Sequence, residues 1–338
     1  MKPFAERLLA WWRDHGRHDL PWQHPRTPYR VWVSEIMLQQ TRVETVVGYF
    51  ARFMDRFPDV KELALAPADD VLALWSGLGY YARARNLHAA ARRIVEDHDG
   101  AFPGDVESLA ALPGIGRSTA AAIVAQGFDR RAPILDGNVK RVLARHAGIE
   151  GWPGRSPIER ALWAEAEART PANHAADYTQ AVMDLGATLC TPKNPRCGVC
   201  PVHADCVAFR EGRQAELPTP KAKKKLPTRE QRFAVLRDAE GRILLQRRPP
   251  SGIWGGLWCL PDAELLEDEH RSLAALEPIE HVFSHFRLRM HLDHRWIETG
   301  TAKVADRDDL RWQSPEQWLD AGLPQPVRRL LERLDRSK

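Results

Sequence analysis

The chain has 338 residues, 43% of them hydrophobic and 28% charged, with a formal net charge of +4. That composition excludes a disordered or fibrous polymer, and the length fits two globular domains. No run approaches the ~18 consecutive apolar residues of a membrane span, and Met1 to Arg7 leads into a charged amphipathic stretch without a signal-peptide core, so a soluble cytoplasmic protein with no membrane partner is expected. The 39 Arg and 10 Lys exceed the 45 acidic residues only slightly. This balance permits a polyanion partner without arguing for one.

In chain order, the first candidate is Glu35 in Val31-Trp32-Val33-Ser34-Glu35-Ile36-Met37-Leu38, a stretch otherwise almost wholly apolar. A carboxyl there loses hydration, its pKa rises, and it becomes able to act as a general acid near neutral pH. An exposed Glu on one polar stripe is the competing reading. Thr41-Arg42-Val43-Glu44 has the form of a capping box. Val43, Val46, Val47, Phe50, Phe53, Met54 and Phe57 then follow at helical spacing, and Pro58 ends the helix. Helices are expected over Ala68–Ser76 and about Tyr81–His98, the latter turning Leu87, Ala91, Ile94 and Val95 inward. Leu112-Pro113-Gly114-Ile115-Gly116 lies between two helical stretches. Its glycines permit the positive φ of a tight hairpin, and the amides that open the following Ala-rich helix suit an anion such as phosphate. The motif reads as a helix–hairpin–helix DNA-binding element or as a plain helix–helix turn. Asp136 follows Pro133-Ile134-Leu135 and precedes the helix Val139–Ala147; it reads as an N-cap or as a carboxylate in a pocket wall. Ser156-Pro157-Ile158-Glu159 is a second capping-box pattern, and Asn173 is expected to cap a helix ending near Leu189.

Four of the five cysteines fall within seventeen residues: Cys190, Cys197, Cys200 and Cys206. Their C-x6-C-x2-C-x5-C spacing, with one CxxC knuckle, suits a [4Fe–4S] cluster better than an all-cysteine zinc site. Residues 216–229, ELPTPKAKKKLPTR, hold three Pro and a Lys run and read as an extended linker. Beyond it the period changes. Arg232–Arg237 and Arg242–Arg247 flank a hairpin signal at Asp238-Ala239-Glu240-Gly241, Phe286 to Leu292 alternate like a half-buried strand, and a helix from about Gln325 to Leu334 closes the chain.

The hairpin, the Asp twenty residues after Gly116 and the cysteine spacing resemble the helix–hairpin–helix DNA glycosylase superfamily. Leu20-Pro21-Trp22, the string from Pro28 to Thr41, Gly77-Leu78-Gly79-Tyr80-Tyr81 with the following Ala82 to Leu87, and Leu135 to Val139 resemble the adenine DNA glycosylases of the MutY type over essentially the whole chain. The resemblance implies removal of adenine mispaired with 8-oxoguanine in double-stranded DNA by a monomeric enzyme. It makes Glu35 the acid that protonates adenine and Asp136 the carboxylate that stabilises the sugar cation, with Asn138 in support. It makes Gln40 and Tyr80 residues that wedge into the base stack, and Leu112, Pro113, Gly114, Ile115 and Gly116 the DNA-binding hairpin. Related glycosylases with lyase activity carry Lys where this chain has Ser118, which implies a monofunctional enzyme and leaves Ser118 as a pocket residue. Lys140 is expected to touch phosphate. Gly255 to Pro261 resemble the core of the family's Nudix-like domain, although Ala263 to Glu269 lack the Arg-Glu-x-x-Glu-Glu arrangement of true Nudix hydrolases, and Phe283-Ser284-His285 resemble its loop for 8-oxoguanine. His281, His285, His291 and His294 read as strand and loop residues rather than a zinc site.

The expected architecture is thus multidomain: an all-α helix–hairpin–helix domain over 1–215 that includes a [4Fe–4S] loop at 190–206, the linker 216–229, and an α+β Nudix-like domain over 230–338. Two other readings are a pyrimidine-specific glycosylase/lyase, which Ser118 disfavours, and a catalytically silent DNA-damage sensor, which the presence of both Glu35 and Asp136 disfavours.

Overall fold

The computed structural model describes residues 2–222, 225–265, 271–272, 276–296 and 308–336. Residues Met1–Leu65 and Ala89–Lys223 form one compact unit, and Ala66–His88 with Lys224–Lys338 form a second. Residues 66–88, expected with the helical domain, therefore group with the C-terminal stretch. Lys223, Lys224 and the stretch 266–269, with the acidic Glu267, Asp268 and Glu269, lie outside the described residues. No helix among the described residues is long and apolar enough to cross a membrane.

The first unit is helical. Its helices are α1 (Phe4–His15), α2 (Pro28–Leu38), α3 (Val43–Arg56), α4 (Val60–Leu65), the later part of α6 (Ala82–His98), α7 (Val106–Ala110), α8 (Arg117–Phe128), α9 (Gly137–Ala147), α10 (Ser156–Arg169), α11 (Ala175–Thr188) and α12 (Val207–Arg210); α5 (Ala68–Leu74) and the start of α6 belong to the second unit. Helix α2 starts where Thr27 accepts from the Arg30 amide and Pro28 takes the first turn, as caps of this kind require. Both expected capping boxes fail to form. Arg42 rather than Thr41 is the N-cap of α3, and Arg155 precedes α10, each without a side-chain cap bond. Likewise α11 is capped by left-handed His174, not Asn173. In each case the helix starts one residue away from the local pattern. The apolar stripe of α3 buries Val46, Phe50, Phe53 and Met54, followed by Phe57, but Val47 is left 39% exposed.

Helix α2 packs on α8, α11 packs on both α8 and α9, and α1 packs on α11. This arrangement brings residues of α2, α8, α9 and α11 to a common wall. A small residue makes the α9–α11 approach possible. A Cβ built at Gly186 would stand 2.6 Å from the Cβ of Asn138 and 3.2 Å from its Cα and carbonyl oxygen.

The second unit carries β1 (Thr228–Arg237), β2 (Ile243–Arg247), β3 (Trp258–Cys259), β4 (Arg271–Ser272), β5 (Leu276–Val282), β6 (Arg287–Trp296), β7 (Leu310–Gln313), α13 (Pro315–Asp320) and α14 (Gln325–Arg336). The strands form one mixed sheet in the order β3-β2-β1-β6-β4, with β5 also on β6 and β7 also on β2. Strands β1 and β6 are parallel from Thr228↔Arg287 to Arg237↔Trp296, while β1 and β2 are antiparallel about the Asp238–Gly241 turn. Leu288, Met290 and Leu292 are buried along β6, with exposed or half-buried residues between them, as the alternation predicts.

A Gly186→Ala substitution is expected to lower stability by ~1–3 kcal/mol, the usual cost of forcing extra volume between packed backbones. Thermal unfolding checks it; an unchanged midpoint contradicts the close α9–α11 approach.

Candidate active site

The common wall of the first unit encloses a cavity of about 660 Å³. Glu35 from α2, Gln40 just beyond it, Ser118 and Thr119 from the start of α8, and Asp136, Gly137 and Asn138 at the start of α9 all line it, as do Arg17, Arg141, Gln180 and Met183. Five residues singled out in the sequence, Glu35, Gln40, Ser118, Asp136 and Asn138, are thus brought together from positions up to about a hundred residues apart. The lining is mixed apolar and polar, which suits a flat, hydrogen-bonding ligand.

The two carboxyls differ in environment. Burial, with the negative charge of Asp136 second, pushes Glu35 up to about 8. Burial also raises Asp136 above the ordinary carboxylate range, but the Val139 amide, Arg141, the Asn138 amide and Lys140 all pull it back. Asp136 is the N-cap of α9, and its Oδ1 accepts from Val139 at 2.7 Å. The cap and the pocket carboxylate are therefore one arrangement: capping aims the group and holds its charge at a helix N-terminus. Both carboxyls are raised by burial, and amides and cations draw back only Asp136, an asymmetry of environment that allows two carboxyls to divide acid and base work.

Arg141 ties the site to its surroundings. Its guanidinium donates to Asn138 Oδ1 and the Gly186 carbonyl at 2.8 Å each, and to the Cys190 carbonyl at 2.7 Å. Behind the opposite wall lies Asp184, fully buried, which accepts from Trp12 Nε1 at 2.9 Å, from the Arg17 amide and Nε at 2.9 and 2.8 Å, and from Gln180 Nε2 at 2.8 Å. It fixes two cavity-lining side chains, Arg17 and Gln180. Sequence reasoning missed Arg17, Arg141, Gln180 and Asp184. Ser118 Oγ accepts from the Leu135 amide at 3.0 Å, pinning the chain that leads into Asp136.

The other candidates lie elsewhere. In the hairpin, Leu112 and Ile115 are buried while Gly114, with φ +74°, and Gly116 are exposed, so backbone, not side chains, faces outward there. Lys140 does not line the cavity; its Nζ meets Glu159 at 2.7 Å. Tyr80 belongs to the second unit, 49% exposed at φ +52°. Phe283, Ser284 and His285 form a tight turn between β5 and β6, closed by the Phe283 amide on the Phe286 carbonyl at 2.9 Å, with Ser284 and His285 exposed and Ser284 Oγ 3.3 Å from His285 Nδ1. Among the described residues no three His, Cys, Asp or Glu converge on a single metal ion.

Cys190, Cys197, Cys200 and Cys206 line one small cavity of about 30 Å³ in the first unit. Burial pushes the Cys200 thiol up to about 12, and the other three thiols add to it by charge repulsion. Four thiolates packed together need a cationic group among them, so the set fits a metal cluster. Buried Arg145 fastens the loop, donating to the carbonyls of Thr191, Pro192 and Leu217 at 2.7, 3.2 and 2.8 Å and approaching Cys190 Sγ at 3.4 Å. Both carboxylate oxygens of Asp205 accept from Arg7 Nη2, at 2.8 and 2.7 Å, and His146 Nε2 lies 3.1 Å from Oδ1.

Because Glu35 is raised in the folded state, its ionisation costs stability that accumulates as pH rises from about 4.5 to about 8 and is constant above. Glu35→Gln removes that cost. Its unfolding free energy should gain on the parent's with rising pH, by roughly 1–3 kcal/mol above pH 8 after allowance for water in the cavity. Scans at pH 5, 7 and 9 check it; a pH-independent difference would contradict the raised carboxyl.

Comparison with known proteins supplies the family. The HhH-GPD superfamily of base excision DNA repair proteins matches residues 33–168, the iron–sulfur binding domain of endonuclease III matches residues 190–206, and the NUDIX domain matches residues 232–333. The adenine DNA glycosylase of Buchnera aphidicola subsp. Schizaphis graminum is 36% identical, covering 97% of this chain and 98% of its own length. That of Homo sapiens is 32% identical, covering 97% of this chain and 73% of its own length. Among solved structures, a thermostable thymine-DNA glycosylase superposes with a TM-score of 0.56 at 28% identity, covering 62% of this chain and 95% of its own. Endonuclease III in a non-covalent DNA complex superposes at 0.52 with 20% identity, a likeness of fold. The thiol-lined loop and these relatives, which match nearly the whole of this chain, agree: the chain belongs to the adenine DNA glycosylases, iron–sulfur-containing base-excision repair enzymes that hydrolyse N-glycosyl bonds.

Proposed function

We propose that the enzyme removes adenine mispaired with 8-oxoguanine, and also with guanine, from double-stranded DNA, acting as a monomer and without lyase activity. The observation that carries the reading is the pair Glu35 and Asp136 in one cavity, one carboxyl raised to about 8 and the other held by amides and Arg141. The scissile bond is hidden in the duplex, so the adenosine is extruded into the cavity. Glu35, protonated at neutral pH, gives its proton to the adenine, which leaves as a neutral base. The Asp136 carboxylate stabilises the sugar cation, and Glu35, now ionised, takes a proton from the attacking water, in keeping with two-carboxylate glycosidic chemistry. Asn138 and Ser118 hold the Asp136 segment. The exposed amides of Gly114 and Gly116 in the Leu112–Gly116 hairpin bind phosphate, Gln40 and Tyr80, both at positive φ, enter the base stack, and Phe283, Ser284 and His285 read the 8-oxoguanine. Lys140, paired with Glu159, contacts DNA only at its rim.

Among the described residues lining the cavity there is no lysine, and Ser118 is engaged with the backbone; both favour hydrolysis without a Schiff base. Cys190, Cys197, Cys200 and Cys206 would hold a [4Fe–4S] cluster, which when bound supplies four metal–thiolate crosslinks to the loop that Arg145 and Arg141 fasten.

The test is release of free adenine from a duplex carrying adenine opposite 8-oxoguanine, with the strand intact until treated with base. Single-turnover rates should fall as pH rises through about 8, where the protonated Glu35 is lost. Glu35→Gln should bind the duplex and lose ~10²–10⁴-fold in rate. Activity within a few-fold of the parent would sink the assignment of Glu35. Elemental analysis should find four irons per chain; one zinc and no iron would overturn the cluster.

A further inference from the structure

The second unit holds a run of contacts that joins the 283–285 turn to the segment bearing Tyr80. At its centre is Trp254. Its backbone is left-handed, with φ +54°, a conformation that a bulky side chain adopts only where its surroundings enforce it. The side chain is only 7% exposed, and its ring centroid stands 5.7 Å from those of Phe283 and His281 and 6.4 Å from that of Phe233 on β1. Phe283 is further stacked on Phe286 at 4.5 Å with planes 18° apart. The rings form a backstop behind the turn, so that Ser284 and His285 project from a fixed base.

The loop bearing Trp254 is itself clamped. The carbonyl of Gly255 accepts from Arg85 Nη1 at 2.5 Å. A Cβ at position 255 would stand 2.4 Å from the Pro250 carbonyl oxygen, so the loop closes tightly on itself. Arg85 lies in the first turn of α6, five residues after Tyr80. The same segment is held at two more points: Tyr81 OH donates to the Leu323 carbonyl at 3.0 Å, and Asp69 pairs with Arg247 at 2.6 Å.

We propose that Trp254 and Arg85 are positioning residues for recognition of the base opposite the adenine. Trp254 sets the 283–285 turn, and Arg85 locks the loop of Trp254 to the segment that presents Tyr80. The side chains that read the lesion and the one that enters the stack thereby keep a fixed spacing. The inference rests on the assignment of 8-oxoguanine reading to residues 283–285.

The experiment measures, on the full-length iron-loaded protein, the ratio of affinities for 8-oxoguanine and guanine opposite a non-cleavable adenine analogue. Trp254→Leu and Arg85→Gln should each lower that ratio about three- to tenfold, the range that loss of an aligned aromatic contact produces. Adenine release from an adenine–guanine duplex should stay within twofold of the parent under single turnover. Trp254→Phe should restore most of the ratio. In a Phe283→Ala background, Trp254→Leu should have little further effect, because Trp254 acts through that ring. Additive effects, or an unchanged ratio in Arg85→Gln and Trp254→Leu, would overturn the proposal. If Trp254→Leu does not fold, an unchanged ratio in Arg85→Gln alone overturns it. Should Phe283→Ala itself leave the ratio untouched, the assignment of the reading turn fails first and the inference falls with it; a ratio lost in Phe283→Ala but kept in Trp254→Leu separates the second failure from the first.

Discussion

Two carboxyl groups facing one low-dielectric cavity repel each other, and much of the helical unit is organised around that repulsion. Left alone, both groups would take up protons and the site would be inert. Here the helix N-terminus and the guanidinium of Arg141 act on Asp136, while Glu35, on a helix whose neighbours are apolar, receives no comparable help. The asymmetry is produced by placement: one acid caps a helix, the other interrupts an apolar stretch. In the proposed reaction, a proton held at neutral pH by the second is the reagent that excision of a poor leaving group needs.

Such placement demands support, and two polar clamps provide it, one centred on an arginine and one on an acid. Arg141 joins Asn138, the α11 backbone and the first cysteine of the thiol-lined loop, so the loop and the start of α9 share a side chain. On the other wall a single buried acid, Asp184, meets donors from Trp12, Arg17 and Gln180. A fully buried carboxylate with this many donors resists rearrangement, because losing any one leaves a charge short of a partner. The cavity is thus framed by polar networks that reach its surface through Arg17, Asn138, Arg141 and Gln180 and are anchored behind it by Trp12, Asp184, Gly186 and Cys190.

Much of this was legible in the sequence. Glu35 stood out because it interrupts the apolar run from Val31 to Leu38, although that pattern also allowed an exposed polar stripe, and the four cysteines because their spacing leaves few geometries. Asp136 offered two readings, and the structure combines them. Asp184 carries the signal that marked Glu35, an acid among Val182, Met183 and Leu185, and the rule applied once would have served twice. Arg17, in the loop after α1, and Arg141, on α9, carried no signal: an arginine is ordinary until its partners across the fold are known. The capping patterns at Thr41 and Ser156 misled for the complementary reason. A cap is a local preference of about 1 kcal/mol, and packing of Phe50, Phe53 and Leu162 in the core outweighs it. The membership of residues 66–88 in the second unit was also hidden, since contacts such as Tyr81 with Leu323 span some 240 positions.

That last grouping bears on how the protein is divided. A chain of this kind invites the view of a catalytic module with a reader appended through a proline-rich tether, separable by protease or by recombination at the tether. Yet Leu72, Tyr81 and Arg85, from the first third of the sequence, find their packing and hydrogen-bond partners among residues 255–323. A fragment ending at the tether would keep these side chains and lose what covers them, exposing new apolar surface. The modules are interleaved along the chain, and inheritance of one without the other would require matching surfaces at positions that no gene boundary separates.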